Sequence, residues 1–103
     1  MKITSFLNIK GGVGKTASAV NLSALFALEG NKVLLIDCDK QSNATQYLGK
    51  YSDDIPNMAN VFQGQYNLGD IIIDTDIDNL YLAPSNIELI NIDESTLDNY
   101  ILR

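Results

Sequence analysis

Basic residues are scarce in this chain. Lysine and arginine together number seven against thirteen aspartates and glutamates, which gives a net charge of −6 and a pI near 4.2. Nonspecific binding to nucleic acid rests on Lys and Arg neutralising phosphates. A chain of this balance, with its few cations scattered, shows no nucleic-acid surface. Cysteine is nearly absent too. Cys38 stands alone, so no internal disulfide can form, which fits a reducing cytoplasm. No apolar run approaches the roughly 20 residues a membrane helix needs. A signal-peptide pattern is missing as well: only Lys2 is basic near the start, with no small-residue cleavage site after it. Without secretion, the sequons Asn21-Leu22-Ser23 and Asn43-Ala44-Thr45 carry no weight. What is left is 103 residues, 46% hydrophobic, the size and composition of one small globular domain.

Glycine, by contrast, is concentrated where it counts. Lys10-Gly11-Gly12-Val13-Gly14-Lys15-Thr16 lies between an apolar run, Ile3 to Ile9, and an Ala- and Leu-rich helical pattern, Ala17 to Leu28. Strand, glycine loop and helix in that order are the context of a phosphate-binding loop. Backbone N–H groups crowd round a polyphosphate only where no Cβ intrudes. The helix that follows turns its positive end to the same anion. Lys15 then serves as a point charge on the terminal phosphates, and the Thr16 hydroxyl takes a Mg²⁺ position. The ordinary pattern G-x-x-x-x-G-K-[ST] requires a glycine where Ile9 stands; the chain has an additional lysine, Lys10, instead.

K-G-G-x-G-K-T resembles the deviant Walker A loop of the ParA/MinD family of ATPases, which includes the partition ATPases. The resemblance extends to Asp37-Cys38-Asp39-Lys40-Gln41-Ser42-Asn43-Ala44-Thr45, where the partition ATPases carry D-x-D-P-Q-G-N-A-T. Lys40 replaces the family's Pro and Ser42 its Gly, changes expected to loosen the loop. The resemblance implies that Gly11, Gly12, Val13, Gly14, Lys15, Thr16 and Ala17 bind ATP, that Thr16 and Asp39 face Mg²⁺, and that Lys10 and Asp39 are catalytic. The alternative for Asp39, and more so for Asp37, is a solvated strand-end cap. Cys38 between them reads as plain packing.

The remaining elements follow from pattern. Lys2 to Asn8 reads as a strand, Thr16 to Glu29 as a helix with Val20, Ala24, Ala27 and Leu28 on its apolar face, and Gly30 as its stop. Val33-Leu34-Leu35-Ile36, apolar on both faces, suits a parallel strand buried between helices, so residues 2–37 form one right-handed βαβ unit. Ligands bind beyond the carboxyl ends of such strands, which puts Asp39 and the glycine loop on one edge. A short helix is expected from Asn43 to Leu48, ending at Gly49, and another from Asn57 to Gln63, ending at Gly64, with Pro56 in its first turn.

Ile71-Ile72-Ile73-Asp74 has the look of a Walker B strand. The strand-like run Leu80–Ala83 begins only six residues after Asp74, however, and parallel neighbours need a crossover of about a dozen. One of the two runs must be a short edge strand or a helix end. Asn79-Leu80-Tyr81-Leu82-Ala83-Pro84-Ser85-Asn86 resembles the family strand that precedes Walker B, so Asp74 is not read as the Mg²⁺ ligand. Asp74, Asp76 and Asp78 imitate a calcium loop, but Asn79 and Ser85 occupy the positions where Gly and Glu are required. Ser85 to Glu88 reads as a capping box opening a helix near Asn86, and Leu89, Ile90, Leu97, Tyr100 and Ile101 give it, or a second helix after Asp93, an apolar face.

The fold class expected is α/β, a P-loop NTPase-like, mostly parallel sheet flanked by helices. Residues 1–103 supply the N-terminal part of such a domain, without a Walker B strand or an adenine pocket. The resemblance implies an ATPase for plasmid or chromosome partitioning that works as a nucleotide-sandwich homodimer with ATP and Mg²⁺. It further implies a centromere-binding partner protein, nonspecific DNA binding through regions beyond these residues, and no membrane. A MinD-like membrane-associated ATPase and a non-catalytic regulatory relative are the alternatives.

Overall fold

A computed structural model describes residues 3–8 and 13–91. Its elements are β1 (Ile3–Asn8), α1 (Val13–Leu28), β2 (Lys32–Asp37), α2 (Asn43–Tyr47), α3 (Met58–Phe62), α4 (Leu68–Ile71), β3 (Ile73–Asp74), β4 (Leu80–Ala83) and a closing 3₁₀ turn (Ile87–Asn91). The four strands form one sheet in the order β1-β2-β4-β3. β1 and β4 both run parallel to β2, with Asn8 opposite Asp37 and Ala83 opposite Ile36. The carboxyl ends of three strands therefore share one edge. β3 alone is antiparallel, pairing Asp74 with Tyr81.

That pairing resolves the Walker B lookalike. Ile71 is the buried end of α4, and Ile73-Asp74 is a two-residue edge strand. Asp74 is exposed and level with Tyr81, two residues before β4 ends. At ~3.3 Å per residue this leaves it well below the carboxyl edge and outside any site there. Asp76 and Asp78 are exposed like Asp74, and Lys50 Nζ lies 3.6 Å from Asp76. No group of three potential metal ligands exists among the described residues.

Both faces of the sheet are covered, as the unbroken apolar run of β2 requires. Val33 and Leu35 pack with Leu80, Leu82, Val20, Ala27 and Ala44 on the α1 side. Leu34 and Ile36 lean on the other cluster, where Cys38 and Ala83 meet Met58, Ala59, Val61, Ile71 and Leu89. Each fully buried Val, Leu or Ile contributes roughly 1.5–3 kcal/mol relative to exposure, so β2 and β4 anchor the fold.

Helix α1 differs from its expected form in two ways. It begins at Val13, inside the glycine loop, rather than at Thr16. Its buried stripe is Thr16, Val20, Ser23 and Ala27, whereas Leu28 is 73% exposed. Small side chains let the helix lie close to the sheet, and Ser23 is accommodated because its hydroxyl donates to the Ala19 carbonyl at 2.7 Å. Leu22, Leu25, Phe26 and Leu28 point outward.

The short helices end where glycine permits it. Gly49 and Gly64 have φ of +70° and +79°. After α2, the Gly49 and Lys50 N–H groups donate to the Gln46 and Thr45 carbonyls; after α3, Gly64 and Gln65 repeat the pattern to Val61 and Asn60. Pro56 precedes α3 rather than entering it. Asn57 takes the N-cap, accepting from Ala59 N–H while the Asn60 side chain accepts from Asn57 N–H. The expected Ser85 capping box is likewise replaced: Asn86 Oδ1 accepts from Glu88 N–H at 3.0 Å, and the helix it opens is a 3₁₀ turn. Leu89 is buried as expected; Leu97, Tyr100 and Ile101 lie outside the described residues.

Candidate functional site

The carboxyl edge of the sheet gathers Asn8, Asp37 and the Pro84-Ser85 turn. The chain leaves β1 there and enters α1 at Val13. Lys10, Gly11 and Gly12 lie outside the described residues. Val13, Gly14, Lys15 and Thr16 form the first turn of the helix. The first four N–H groups of any α-helix lack an intrahelical acceptor and form an anion-binding end. Thr16 is 2% exposed, and its Oγ1 finds no hydrogen-bond partner among the described residues. Leaving a buried hydroxyl unpaired costs about 1–3 kcal/mol. An oxygen left so in the first turn fits a metal or phosphate ligand. Ala17 follows, half-buried.

Asp39 lies in the loop beyond β2 and is 5% exposed. Its carboxylate turns back on its own loop: Oδ1 accepts from Gln41 N–H at 3.1 Å, and Oδ2 accepts from Asn43 N–H at 3.3 Å and from Asn43 Nδ2 at 2.8 Å. A carboxylate offers about four acceptor positions. Capping the loop therefore leaves it room for one further donor or a cation, and the cap and the site role are compatible.

Asp37 is a different case. It is fully buried, and its Oδ2 accepts from Thr45 N–H at 2.9 Å and Thr45 Oγ1 at 2.6 Å, while Oδ1 accepts from Asp39 N–H at 3.1 Å. Thr45 is the third residue of α2, so Asp37 performs the N-terminal capping that the Ser42 side chain does not. Cys38 is packed in the core, and burial, together with the Asp37 charge, pushes its thiol up to about 12. Such a thiol is neutral and inert.

Ser42, the replacement for the family's glycine, sits in the left-handed region with φ 57° and ψ 35°. The backbone path that suits glycine is thus kept in spite of the substitution. Thr45 and Ser85 were not singled out as site residues by sequence reasoning. Each lies in a family-like run, D-x-D to A-T and P-S-N, and those runs were the available signal.

A family profile described as AAA domain (AAA_31) matches residues 1–101. The chain belongs to this ParA/MinD-type AAA domain family. It is 42% identical over 89 residues to the sporulation initiation inhibitor protein Soj of Bacillus subtilis, covering 85% of this chain and 35% of Soj. Among solved structures, the septum site-determining protein MinD of Pyrococcus horikoshii complexed with Mg-ADP matches with a TM-score of 0.75 at 32% identity, over 98% of this chain and 43% of that one. The ATP complex of a Cyanothece McdA variant matches with a TM-score of 0.76 at 29% identity, over 98% and 39%. The chain spans about a third of the length of the curated relatives it matches. The ParA/MinD-type fold accounts for the parallel core β1-β2-β4 with helices on both faces.

Proposed function

We propose that this protein is a ParA-like ATPase of plasmid or chromosome partitioning, that it binds ATP with Mg²⁺ at residues 10–17, and that it hydrolyses ATP as a nucleotide-sandwich homodimer in the cytoplasm. The observation that carries this reading is the buried, unpaired Thr16 hydroxyl in the first turn of α1, beside the edge that holds Asp39. Relatives with this fold are solved with Mg-ADP and with ATP. Magnesium-bound ATP, when present, supplies a phosphoryl group whose charge is partly neutralised and ready for in-line attack.

The protein's own residues divide the remaining work. Backbone N–H groups from Gly11 to Ala17 cradle the phosphates, and Lys15 adds a point charge. The Thr16 hydroxyl and the Asp39 carboxylate hold the metal side, with Asp39 also orienting the attacking water. Lys10 reaches the partner protomer's phosphates, much as an arginine finger does. The DNA and centromere-binding partners of such an ATPase act through other surfaces; the acidic balance here gives none to DNA. Among the described residues no helix is long and apolar enough to cross a membrane.

The test is calorimetry with and without Mg²⁺. Wild-type protein is expected to bind Mg-ATP, and Thr16→Ala to lose the gain from Mg²⁺ while still binding metal-free ATP. Absence of Mg-ATP binding by the wild type would overturn the reading.

A further inference from the structure

Asp39 is held by more than its own loop. Its N–H donates to Asp37 Oδ1 at 3.1 Å, and its carbonyl accepts from the Ser85 hydroxyl at 2.8 Å. Both peptide groups flanking the residue are therefore fixed, one from the end of β2 and one from the turn after β4. The two anchors are themselves joined. Thr45 Oγ1 donates to Asp37 Oδ2 at 2.6 Å and accepts from Ser85 N–H at 2.9 Å. Asp37 and Thr45 are fully buried, and Ser85 is nearly so. Three segments that are remote in sequence thus close on Asp39, bonded across separations of 8, 40 and 46 residues.

Capping α2 explains only part of this. Asp37 caps that helix through Thr45 N–H alone. The Ser85 hydroxyl bond to the Asp39 carbonyl adds nothing to the cap; it ties the Asp39 peptide to the turn after β4. Side chains that transmit position to a reacting group need such two-sided support, because loops left to themselves place groups loosely.

We propose that Thr45 and Ser85 are positioning residues for the Asp39 carboxylate: with Asp37 as the fixed anchor, they form a clamp between the ends of β2 and β4 that sets the catalytic geometry of the loop. The assignment rests on the ATPase reading above. It implies that the turn after β4, which carries no proposed ligand, controls the rate of hydrolysis without affecting nucleotide affinity.

The experiment compares Ser85→Ala, Thr45→Val and Thr45→Ser in the protein as its gene encodes it, by ATP calorimetry, single-turnover hydrolysis and amide hydrogen exchange. Ser85→Ala and Thr45→Val are expected to keep the ATP Kd within about threefold while hydrolysis falls at least tenfold, since a displacement of about 1 Å can cost as much as 10²-fold. Exchange at the Gln41 and Asn43 amides, which report on the Asp39 carboxylate, should rise. Thr45→Ser keeps both hydroxyl bonds and should restore the rate. Thr45→Val removes one of the two donors to the buried Asp37 Oδ2 and leaves the Ser85 N–H without its acceptor; should that variant not fold, Ser85→Ala, which spares Asp37, decides alone. Variants that hydrolyse at the wild-type rate overturn the positioning role, whatever their exchange. If the wild type itself does not hydrolyse ATP, the functional reading falls separately. The clamp is then judged by exchange, and unchanged protection of Gln41 and Asn43 in Ser85→Ala refutes it.

Discussion

Replacing Ser42 with glycine should make the protein more stable, an unusual outcome for a substitution at a fully buried position. Ser42 has φ 57° and ψ 35°, which an L-residue adopts at a cost of about 1–2 kcal/mol. Its hydroxyl is buried and has no partner among the described residues, which adds a penalty of roughly 1–3 kcal/mol. It makes no side-chain bond to the α2 terminus, so glycine forfeits no cap. Against these gains stands the greater freedom of an unfolded glycine, about 0.5–1 kcal/mol. The balance favours Ser42→Gly by about 1–4 kcal/mol. With an m-value of roughly 1–2 kcal/mol per molar urea for a domain of this size, the urea midpoint should rise by at least about 0.5 M. Ser42→Ala separates the two causes: it removes the hydroxyl but keeps the Cβ, so it should recover the desolvation part and none of the backbone part. A midpoint for Ser42→Gly at or below wild type refutes the argument, and an equal gain in both variants refutes the backbone half.

Further outcomes are expected. Lys15→Ala should abolish tight ATP binding measured by calorimetry, whereas Lys10→Ala should leave protomer binding largely intact and remove hydrolysis; normal turnover in Lys10→Ala would end the role in trans. The Cys38 thiol is pushed up to about 12 in the folded chain from 9.0. The unfolded chain therefore loses its proton first as pH rises, and stability falls between pH 9 and 12 by up to ~1.4 kcal/mol per unit, with no contribution below pH 9. Urea midpoints of wild type and Cys38→Ala should diverge across that window only. Finally, Leu22, Leu25, Phe26 and Leu28, exposed on α1, should drive self-association of the purified chain; light scattering reads this, and Leu25→Lys with Leu28→Lys should reduce it.

The strands and the short helices were legible because their signals are local. An apolar run, a glycine with positive φ and a crossover too short for parallel strands each act within a few residues. The crossover argument required one of the two runs to be a short edge strand or a helix end, and Ile71 closes α4 while Ile73-Asp74 is the edge strand. The buried face of α1 was misread at Leu28 because helical spacing alone does not tell a close-packed small stripe from a large apolar one. Thr16, Val20, Ser23 and Ala27 take that face, and Leu28 is left outside it. The Ser85 box failed for a related reason: the residue pattern was right, but the hydroxyl was engaged by Asp39, 46 residues away. Contacts of that range leave no period in the sequence.

Asp37 and Asp39 show how two carboxylates of one motif come to occupy different environments. They are two residues apart, at the end of the same strand, and equally acidic in isolation. Asp37 falls on the last buried position of β2, where an unpaired charge would be intolerable, so it is tied to Thr45 and to the Asp39 N–H. Asp39 falls just past the strand, where the backbone turns and three loop donors reach it with room for one more partner. The first carboxylate stabilises the charge-bearing loop, and the second is presented by it. Removing Asp37 would strand buried donors, whereas removing Asp39 frees three donors of part-buried bonds that water can reach, so Asp37→Ala should lower the melting temperature more than Asp39→Ala, and the two substitutions should separate in a melting curve before any activity is measured.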